Sequence, residues 1–211
     1  IIVAGLVMTH SRMGNTSFFA SLMIMGVLGL ILSRKATRSM IILLSSLIIL
    51  DIFVVGTFFG VQEVADRLQK TSIEKESRDE VAKATINLMQ PQLLTGTGAG
   101  TFYTAFPEYR TEDVGRGFYV NTHNDYLEFS SEFGLLGAAP LALTLLLTLG
   151  AGLYAQYKRR DKLLRGIAFG ASMSIIAMLI HATVDFNLQM PANALTFMVI
   201  LAFAWIAVCK K

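Results

Sequence analysis

The chain contains, from Leu135 to Tyr154, the stretch LLGAAPLALTLLLTLGAGLY, which is 20 residues long and has no charged side chain. A helix needs about 20 apolar residues to cross a hydrocarbon layer of ~30 Å. Because lipid offers no partners to unpaired backbone groups, a segment that crosses the layer has to form a helix. The stretch therefore predicts a membrane-spanning helix.

Other apolar segments near this length lie on both sides of the stretch: Ser17–Leu32, Ser39–Gly60, Gly166–Ile180 and Ala192–Val208. The chain starts with the apolar residues Ile1–Met8, without an initiator methionine or the basic region of a signal peptide. We therefore expect a truncated first helix and the C-terminal part of a longer polytopic protein. The predicted fold class is all-α, a polytopic membrane helical bundle.

The composition agrees with this prediction. Of the 211 residues, 54% are hydrophobic and 16% are charged, whereas soluble domains are about 45–50% apolar and about 25% charged. These values exclude a cytosolic enzyme and a disordered tail. The single cysteine, Cys209, excludes an internal disulfide and with it a secreted disulfide scaffold. The net charge of +3 is small and scattered, which argues against a nucleic-acid partner.

Basic residues concentrate in the short links between the apolar segments and at the end of the chain. Such clusters mark the cytoplasmic face of membrane proteins, and counting the spans puts all of them on one face. We therefore predict transmembrane helices in residues 1–60, an extracytoplasmic (periplasmic) loop in residues 61–134 and three transmembrane helices in residues 135–211. The clusters are Arg34, Lys35 and Arg38; Lys158, Arg159, Arg160, Lys162 and Arg165; and Lys210 and Lys211.

The loop of residues 61–134 holds 12 acidic and 7 basic residues, so it is a soluble excursion and not a span. A connection of this length usually carries a function or is disordered. Seven aromatic residues between positions 102 and 126 argue against disorder. The pattern of Asp66–Leu88 is helical, with apolar positions at Leu68, Val81, Ala84 and Leu88. We expect a folded, mainly helical loop.

Polar residues on the predicted outer face form five clusters. Their sequences are THSR at Thr9–Arg12, SRD at Ser77–Asp79, LTGTGAGTF at Leu94–Phe102, THNDYLE at Thr122–Glu128 with EFGLLG at residues 132–137, and HATVDFNLQMP at His181–Pro191. In this order, and with a large loop between two spans, they resemble the O-antigen ligase and polymerase superfamily over nearly the whole chain.

The resemblance implies a glycosyltransferase of the bacterial inner membrane. Such enzymes move a glycan from an undecaprenyl diphosphate carrier to an acceptor hydroxyl at the periplasmic face, with inversion and without a metal or another cofactor. The loop motifs look closer to the ligase branch, in which the acceptor is the lipid A core. In the polymerase branch the acceptor is another lipid-linked repeat unit, and some members are protein O-oligosaccharyltransferases.

Three residues at positions that match the family's motifs suit this chemistry. Arg12 and Arg78 can bind the diphosphate, because a guanidinium binds phosphate oxygens bidentately and stays charged. His123 titrates near neutrality and can take the proton of a hydroxyl as general base. Each has a structural alternative: Arg12 as an interfacial anchor, Arg78 in helix-surface ion pairs and His123 in a turn or helix cap.

Further candidates for substrate contacts are Arg110, Arg116, Asn124, Asp125 and Asp185. Asp125 and Glu128 could also orient the His123 ring. Asp185 follows His181 by four residues, which would put both on one helical face if the span continued through them. A metal pair is a weaker alternative there, because two ligands do not make a metal site.

The turn Gly96-x-Gly98-x-Gly100 has the spacing of neither a dinucleotide motif nor a Walker loop. We expect it to pack tightly against the backbone beneath the site. Free amides that face an anionic ligand are a further option.

A solute transporter is the alternative from another class of function. Transporters place polar residues near the bilayer midplane, often at broken helices. Here Asp51 is charged at depth and has no assigned role, whereas the polar clusters lie on the outer face. This distribution favours chemistry at the membrane surface, with a lipid-linked glycan donor, a glycan acceptor and membrane lipids as partners.

Overall fold

The structure is a computed structural model that describes residues 11–32, 78–110 and 119–210, together with the single positions 5, 6, 9, 38, 42, 45, 46, 49 and 114. In this part of the chain the regular elements are α-helices and short 3-10 turns, and it contains no strand. The predicted all-α fold class is confirmed.

The elements follow one another along the chain, and several of the helices are long. The helices are α1 (Arg12–Leu32), α2 (residues 78–89), α3 (Phe102–Tyr109), α4 (Asp125–Lys158), α5 (Lys162–His181) and α6 (Pro191–Cys209). The 3-10 turns are Gln90–Gln92 and Asn187–Gln189.

Helices α1, α4, α5 and α6 are each long and apolar enough to cross a membrane. They contain the predicted spans that end at residues 32, 154, 180 and 208, so these four segments are helices of the predicted kind, long and apolar enough to cross a membrane. The predicted span Ser39–Gly60, with Asp51, lies outside the described residues apart from four single positions. Most of the apolar stretch Ile1–Met8 lies outside them as well.

The chain divides into two compact units. The helical unit comprises residues 1–60, 145–181 and 192–211. The loop unit comprises residues 61–144 and 182–191. Helix α4 is therefore shared, because its N-terminal part belongs to the loop unit and its C-terminal part to the helical unit.

Small and polar side chains join the helices of the helical unit. Gly152 of α4 lies so close to α5 that a methyl group on it would stand 2.4 Å from the hydroxyl oxygen of Ser172. Gln156 donates from Nε2 to the same oxygen at 3.3 Å. Arg159, after α4, donates from Nε to the carbonyl of Ala207 at 3.0 Å. Small residues permit such close helix packing in membranes, and Arg159 binds a carbonyl that the C-terminal end of α6 leaves without an intrahelical partner.

The loop unit has an apolar core of its own. Its buried members are Val81, Ala84 and Leu88 of α2, Phe102 and Phe106 of α3, and Val114. The positions on α2 recur every three to four residues, which is the spacing of one helical face. The predicted helical pattern is thus confirmed from residue 78 onward, and its earlier part, with Leu68, lies outside the described residues.

Helix α4 is interrupted at Gly134, whose φ of 59° and ψ of −174° are not helical. Residues 93–98 supply the partners that the broken helix lacks. Two carbonyls before the break accept loop N–H groups: Ser131 O from Thr97 N at 2.9 Å, and Glu132 O from Gly98 N at 2.8 Å. Two N–H groups after the break donate to loop carbonyls: Leu135 N to Leu93 O at 2.9 Å, and Leu136 N to Leu94 O at 3.0 Å. The exchange satisfies backbone groups that helix ends leave unpaired.

Two glycines make this approach possible. Gly96 and Gly134 have φ of 70° and 59°, in the left-handed region that glycine adopts without strain. A Cβ on Gly96 would stand 2.3 Å from the carbonyl oxygen of Glu132. A Cβ on Gly134 would stand 2.4 Å from the carbonyl oxygen of Leu94. The predicted tight packing of the glycine-rich turn is confirmed.

Candidate functional site

Helix α4 begins at Asp125, ten residues before the predicted span, because Asn124 caps it. The Asn124 Oδ1 accepts the N–H of Leu127 at 3.2 Å, as an N-cap does. The first turns of α4 carry the carboxylates of Asp125, Glu128 and Glu132, whose side chains are only 1–3% exposed. The 24 residues of α4 after the break at Gly134 span about 36 Å, so these polar turns precede an apolar part that is itself long enough to cross a bilayer.

Glu128 fixes the segment that leads into α4. Its Oε2 accepts the N–H of Thr122 at 2.8 Å, and its Oε1 accepts the Nδ2 of Asn121 at 2.7 Å. The next residue, His123, has a φ of 55°. A non-glycine residue in this left-handed region costs about 1–3 kcal/mol and persists only when its surroundings hold it there. The two hydrogen bonds of Glu128 fix the backbone and the side chain of the two residues before His123.

The His123 ring packs on an aromatic ring and stands in the field of two opposite charges. Its centroid is 4.9 Å from that of Phe186, with the planes at 75°. Burial lowers the pKa of His123, the positive charge of Arg78 lowers it further, and the negative charge of Asp185 opposes both. The imidazole is therefore neutral at pH 7 and able to accept a proton.

Arg78 is the first described residue of α2, and its side chain is exposed. Its positive charge contributes to the lowered pKa of His123. Arg78 and His123, two of the three predicted catalytic residues, both belong to the loop unit, although they are far apart in sequence.

The segment between α5 and α6 is attached to the start of α4. The Asp125 N–H lies 3.2 Å from the carbonyl oxygen of Asp185, and Leu188 donates its N–H to Asp125 Oδ2 at 3.1 Å. Asp185 also accepts the N–H of Phe186 through Oδ1 at 2.9 Å. Because Phe186 contacts the ring of His123, this segment forms one side of the candidate site.

In the described residues, the hydrogen bonds of Asp125 and Glu128 go to groups other than the His123 ring. Glu128 binds the chain before His123, and the negative charge that acts on the imidazole is that of Asp185. Asp125 holds the segment that contains Asp185. Helix α5 ends at His181, so Asp185 does not share a helical face with it. Within the described ranges, no three His, Cys, Asp or Glu side chains are arranged to hold a metal ion.

Of the other predicted site residues, Arg110 and Asn124 make hydrogen bonds within the protein, and Arg116 and the side chain of Arg12 lie outside the described part of the chain. Arg110 is half-buried and donates from Nε to the carbonyl of Val114 at 3.1 Å. Asn124 serves as the helix cap of α4. Arg116 lies outside the described residues. Arg12 begins α1 in the helical unit, and its side chain is not among those the structure describes.

The glycine-rich turn uses its amides within the protein. Glu132, beside the turn, accepts the N–H of Phe102 through Oε1 at 3.0 Å and so caps α3. The option of free amides that face an anionic ligand is wrong for three positions of the turn, because backbone carbonyls already accept their hydrogen bonds. These pairs are Gly96 N to Gln92 O, Thr97 N to Ser131 O and Gly98 N to Glu132 O.

Sequence reasoning missed Phe186, Asn187 and Gln189. The aromatic ring gave no polar signal, and the two amides were quoted in the cluster HATVDFNLQMP without a role. The structure shows Asn187 Nδ2 and Gln189 Nε2 buried and without a hydrogen-bond partner in the described part of the chain. A short link that carries two amide side chains between apolar helices is the signal that could have identified them.

The fold and the site define a class: a multi-pass membrane protein with a polar site on a folded connecting loop. The family model described as O-antigen ligase matches residues 1–142 of the 211, and the chain belongs to this family. The resemblance found in the sequence is thereby confirmed, and the protein is a membrane glycosyltransferase of the O-antigen ligase or polymerase type. The matched range includes Arg78 and His123 and ends before Asp185. No curated protein and no solved structure matches the chain significantly.

Proposed function

We propose that the chain is an O-antigen ligase that moves a glycan from an undecaprenyl diphosphate donor to a hydroxyl of the lipid A core. The reaction takes place at the periplasmic face of the bacterial inner membrane. His123 is the general base, and Arg78 and Arg12 bind the diphosphate. A polymerase, with a lipid-linked repeat unit as acceptor, would use the same residues.

The observation that carries the proposal is the setting of His123. Its pKa is lowered by burial and by Arg78, so the neutral form that a general base requires prevails at pH 7. Its backbone is left-handed, and Glu128 holds the residue before it. A strained backbone and a perturbed pKa at one residue are typical of functional sites.

The arginines supply the charge that the leaving group needs. As a diphosphate departs, negative charge builds on its oxygens, and a fixed guanidinium stabilises this charge more in the transition state than in the substrate. Arg78 is supported by its positive charge, which acts on the pKa of His123 in the same unit. Arg12 is supported by the sequence, because an arginine at the start of a membrane-length helix suits a ligand anchored in that membrane.

The proposed reaction is a single displacement. The acceptor hydroxyl oxygen attacks the anomeric carbon of the donor sugar from the side opposite the diphosphate, and its proton goes to His123. The bond between the anomeric carbon and the diphosphate oxygen breaks, and undecaprenyl diphosphate leaves with the electron pair. The anomeric configuration inverts, and the proposed reaction uses arginine side chains and no metal.

The side of the membrane is inferred from the links between helices. The C-terminal end of α4 and the start of α5 are joined through Lys158, Arg159, Arg160 and Lys162, a cluster typical of the cytoplasmic face. In the chain, the apolar span of α4 separates the residues of the candidate site from this basic cluster, which supports a periplasmic location.

The test is glycan transfer in membranes that contain the full-length protein, with an undecaprenyl diphosphate-linked glycan and lipid A core supplied. We expect His123→Ala to lower the rate by at least 10²-fold, the usual contribution of a general base. Arg78→Ala should lower it by about 10²-fold, as for other groups that stabilise transition-state charge. Lys83→Ala, on the exposed side of the same helix as Arg78, is the matched control and should leave the rate unchanged.

Equal protein levels and an unchanged thermal midpoint are required of every variant. Transfer at the wild-type rate by His123→Ala would contradict the assignment of the base. Transfer to a lipid-linked repeat unit, without transfer to lipid A core, would identify a polymerase. If the wild type glycosylates neither acceptor, the proposed function is wrong and solute uptake becomes the next assay.

A further inference from the structure

Three buried polar atoms near the start of α4 have no hydrogen-bond partner among the described residues. They are Asp125 Oδ1, Asn187 Nδ2 and Gln189 Nε2. The Asp125 side chain is 1% exposed, so solvent does not reach it freely. Unpaired buried donors and acceptors destabilise a fold, and native structures contain few of them. Three such atoms on residues joined by one hydrogen bond are therefore candidates for hydrogen bonds to a bound molecule.

A hydrogen bond shows that the three residues belong to one place. Leu188 donates its N–H to the other oxygen of Asp125, Oδ2, at 3.1 Å. The carboxylate therefore lies against the 3-10 turn Asn187–Gln189, and the two unpaired amides belong to the residues on either side of Leu188. Asn187 and Gln189 are outside the range that the family model matches, so the assignment rests on the geometry.

The unpaired atoms are one acceptor and two donors, and this combination indicates the chemistry of the ligand. A carboxylate oxygen accepts a hydrogen bond, and an amide nitrogen donates one. A hydroxyl does both, so a sugar with several hydroxyls can satisfy all three atoms. A diphosphate only accepts hydrogen bonds, and the negative charges of Asp125 and Asp185 repel it. This side of the site therefore suits neutral hydroxyls, whereas Arg78 suits the anion.

We propose that Asp125, Asn187 and Gln189 bind hydroxyls of the acceptor sugar. The acceptor is selected over the donor because Phe186, which precedes Asn187, contacts the ring of His123. His123 takes the proton of the acceptor hydroxyl in the proposed function, on which this inference rests. The turn thus positions the acceptor sugar while His123 deprotonates one of its hydroxyls.

The experiment titrates lipid A core at a saturating concentration of the lipid-linked donor, using full-length protein in membranes. Asn187→Ala and Gln189→Ala should each raise the KM for lipid A core about tenfold, the effect of one lost hydrogen bond. The kcat at saturating acceptor should fall by less than about threefold, and the donor KM should not change. Asn193→Ala removes an amide side chain six residues beyond Asn187 and is the matched control, with no expected change.

Variants of the same shape keep the inference testable if the alanine proteins fold poorly. Gln189→Glu and Asn187→Asp replace a donor by an acceptor and should raise the acceptor KM as well. Wild-type acceptor KM in all four variants would overturn the inference, because a water molecule would then complete the hydrogen bonds. A raised donor KM with an unchanged acceptor KM would overturn it too.

A binding measurement separates this inference from the proposed function. Lipid A core in detergent micelles is titrated into the purified full-length protein without donor, so no transfer is needed. Weaker binding by Gln189→Ala, with wild-type binding by Asn193→Ala, supports the subsite even if the transfer assay fails. Equal binding by both variants overturns the subsite and leaves the assignment of His123 untouched.

Discussion

Two polar turns contact the interrupted helix α4, and they use their hydrogen-bonding groups differently. The glycine-rich turn donates N–H groups to carbonyls beside the break at Gly134. The turn Asn187–Gln189 is attached to Asp125 through Leu188, yet it leaves two buried amides unpaired. The first turn is closed on the protein, and the second carries the proposed binding site for the acceptor sugar. Both are polar in sequence, so the difference emerges only when each donor and acceptor is followed to its partner.

The largest effect is expected where the closed turn meets the break. Gly134→Ala places a methyl group 2.4 Å from the carbonyl oxygen of Leu94 and puts alanine at a φ of 59°. We expect a loss of about 3 kcal/mol or more of stability, since backbone on both sides has to shift. The thermal midpoint and the amount of protein in membranes measure this loss.

Two further glycines, Gly150 and Gly100, separate the effect of a steric clash from the effect of a left-handed backbone. Gly150, in the apolar part of α4, has no atom within 4 Å of an added Cβ, so Gly150→Ala should leave the midpoint unchanged or raise it slightly. Gly100 also has open space but a φ of 69°, so Gly100→Ala should cost only about 1 kcal/mol. If Gly134→Ala and Gly150→Ala are equally stable, the tight contact between the glycine-rich turn and the break in α4 is refuted.

The sequence predicted the helices well because their signal is local. A run of apolar residues is visible without knowledge of the fold, and the positions Val81, Ala84 and Leu88 show their spacing directly. The break in α4 was not predicted, because Gly134 becomes necessary only when residues 93–98 approach it. Glycine at this position is also compatible with an ordinary membrane helix.

Around His123, the sequence could predict candidate residues but not the contacts between segments. His123 and Arg78 were identified by motifs whose residue types suit the chemistry. The charge of Asp185 on His123 and the contact of Phe186 depend on two segments that lie far apart in sequence. The unpaired amides of the turn Asn187–Gln189 depend on burial, which sequence letters do not report.

Two buried glutamates of α4 can be compared with each other, and substituting either should have a smaller effect on stability than Gly134→Ala. Glu128 and Glu132 lie one helical turn apart on α4 and each accept backbone N–H groups. Glu128→Ala should cost about 1–3 kcal/mol of stability, the penalty of unpaired buried donors. It should also lower kcat about tenfold or more, because it frees Thr122 beside His123. The rate and the thermal midpoint are measured on the same preparations.

Glu132→Ala is the control for this prediction. It removes the cap of Phe102 and should cost a similar amount of stability. The kcat should stay within about threefold of the wild type, because Glu132 holds α3 and not His123. If both variants lose stability and kcat in proportion, the rate loss is a consequence of unfolding, and the specific role of Glu128 is wrong.

The smallest expected effect is a displacement of the pH profile. His123 acts as base only when neutral, so kcat/KM should fall as the pH drops through its pKa. Arg78 lowers this pKa, and Arg78→Ala should therefore move the acidic limb to higher pH. Asp185 raises it, so Asp185→Asn should move the limb to lower pH.

Charge and shape can be separated with two further variants. Arg78→Lys keeps the positive charge and should keep the limb where the wild type has it, even if the rate falls with the loss of bidentate phosphate binding. Lys83→Ala removes a charge elsewhere on α2 and should not displace the limb. A limb that stays in place in both Arg78→Ala and Asp185→Asn would mean that His123 is not the group whose proton controls the rate. The turn Asn187–Gln189 would then lie beside a structural histidine. Its difference from the glycine-rich turn would matter for ligand binding and not for proton transfer.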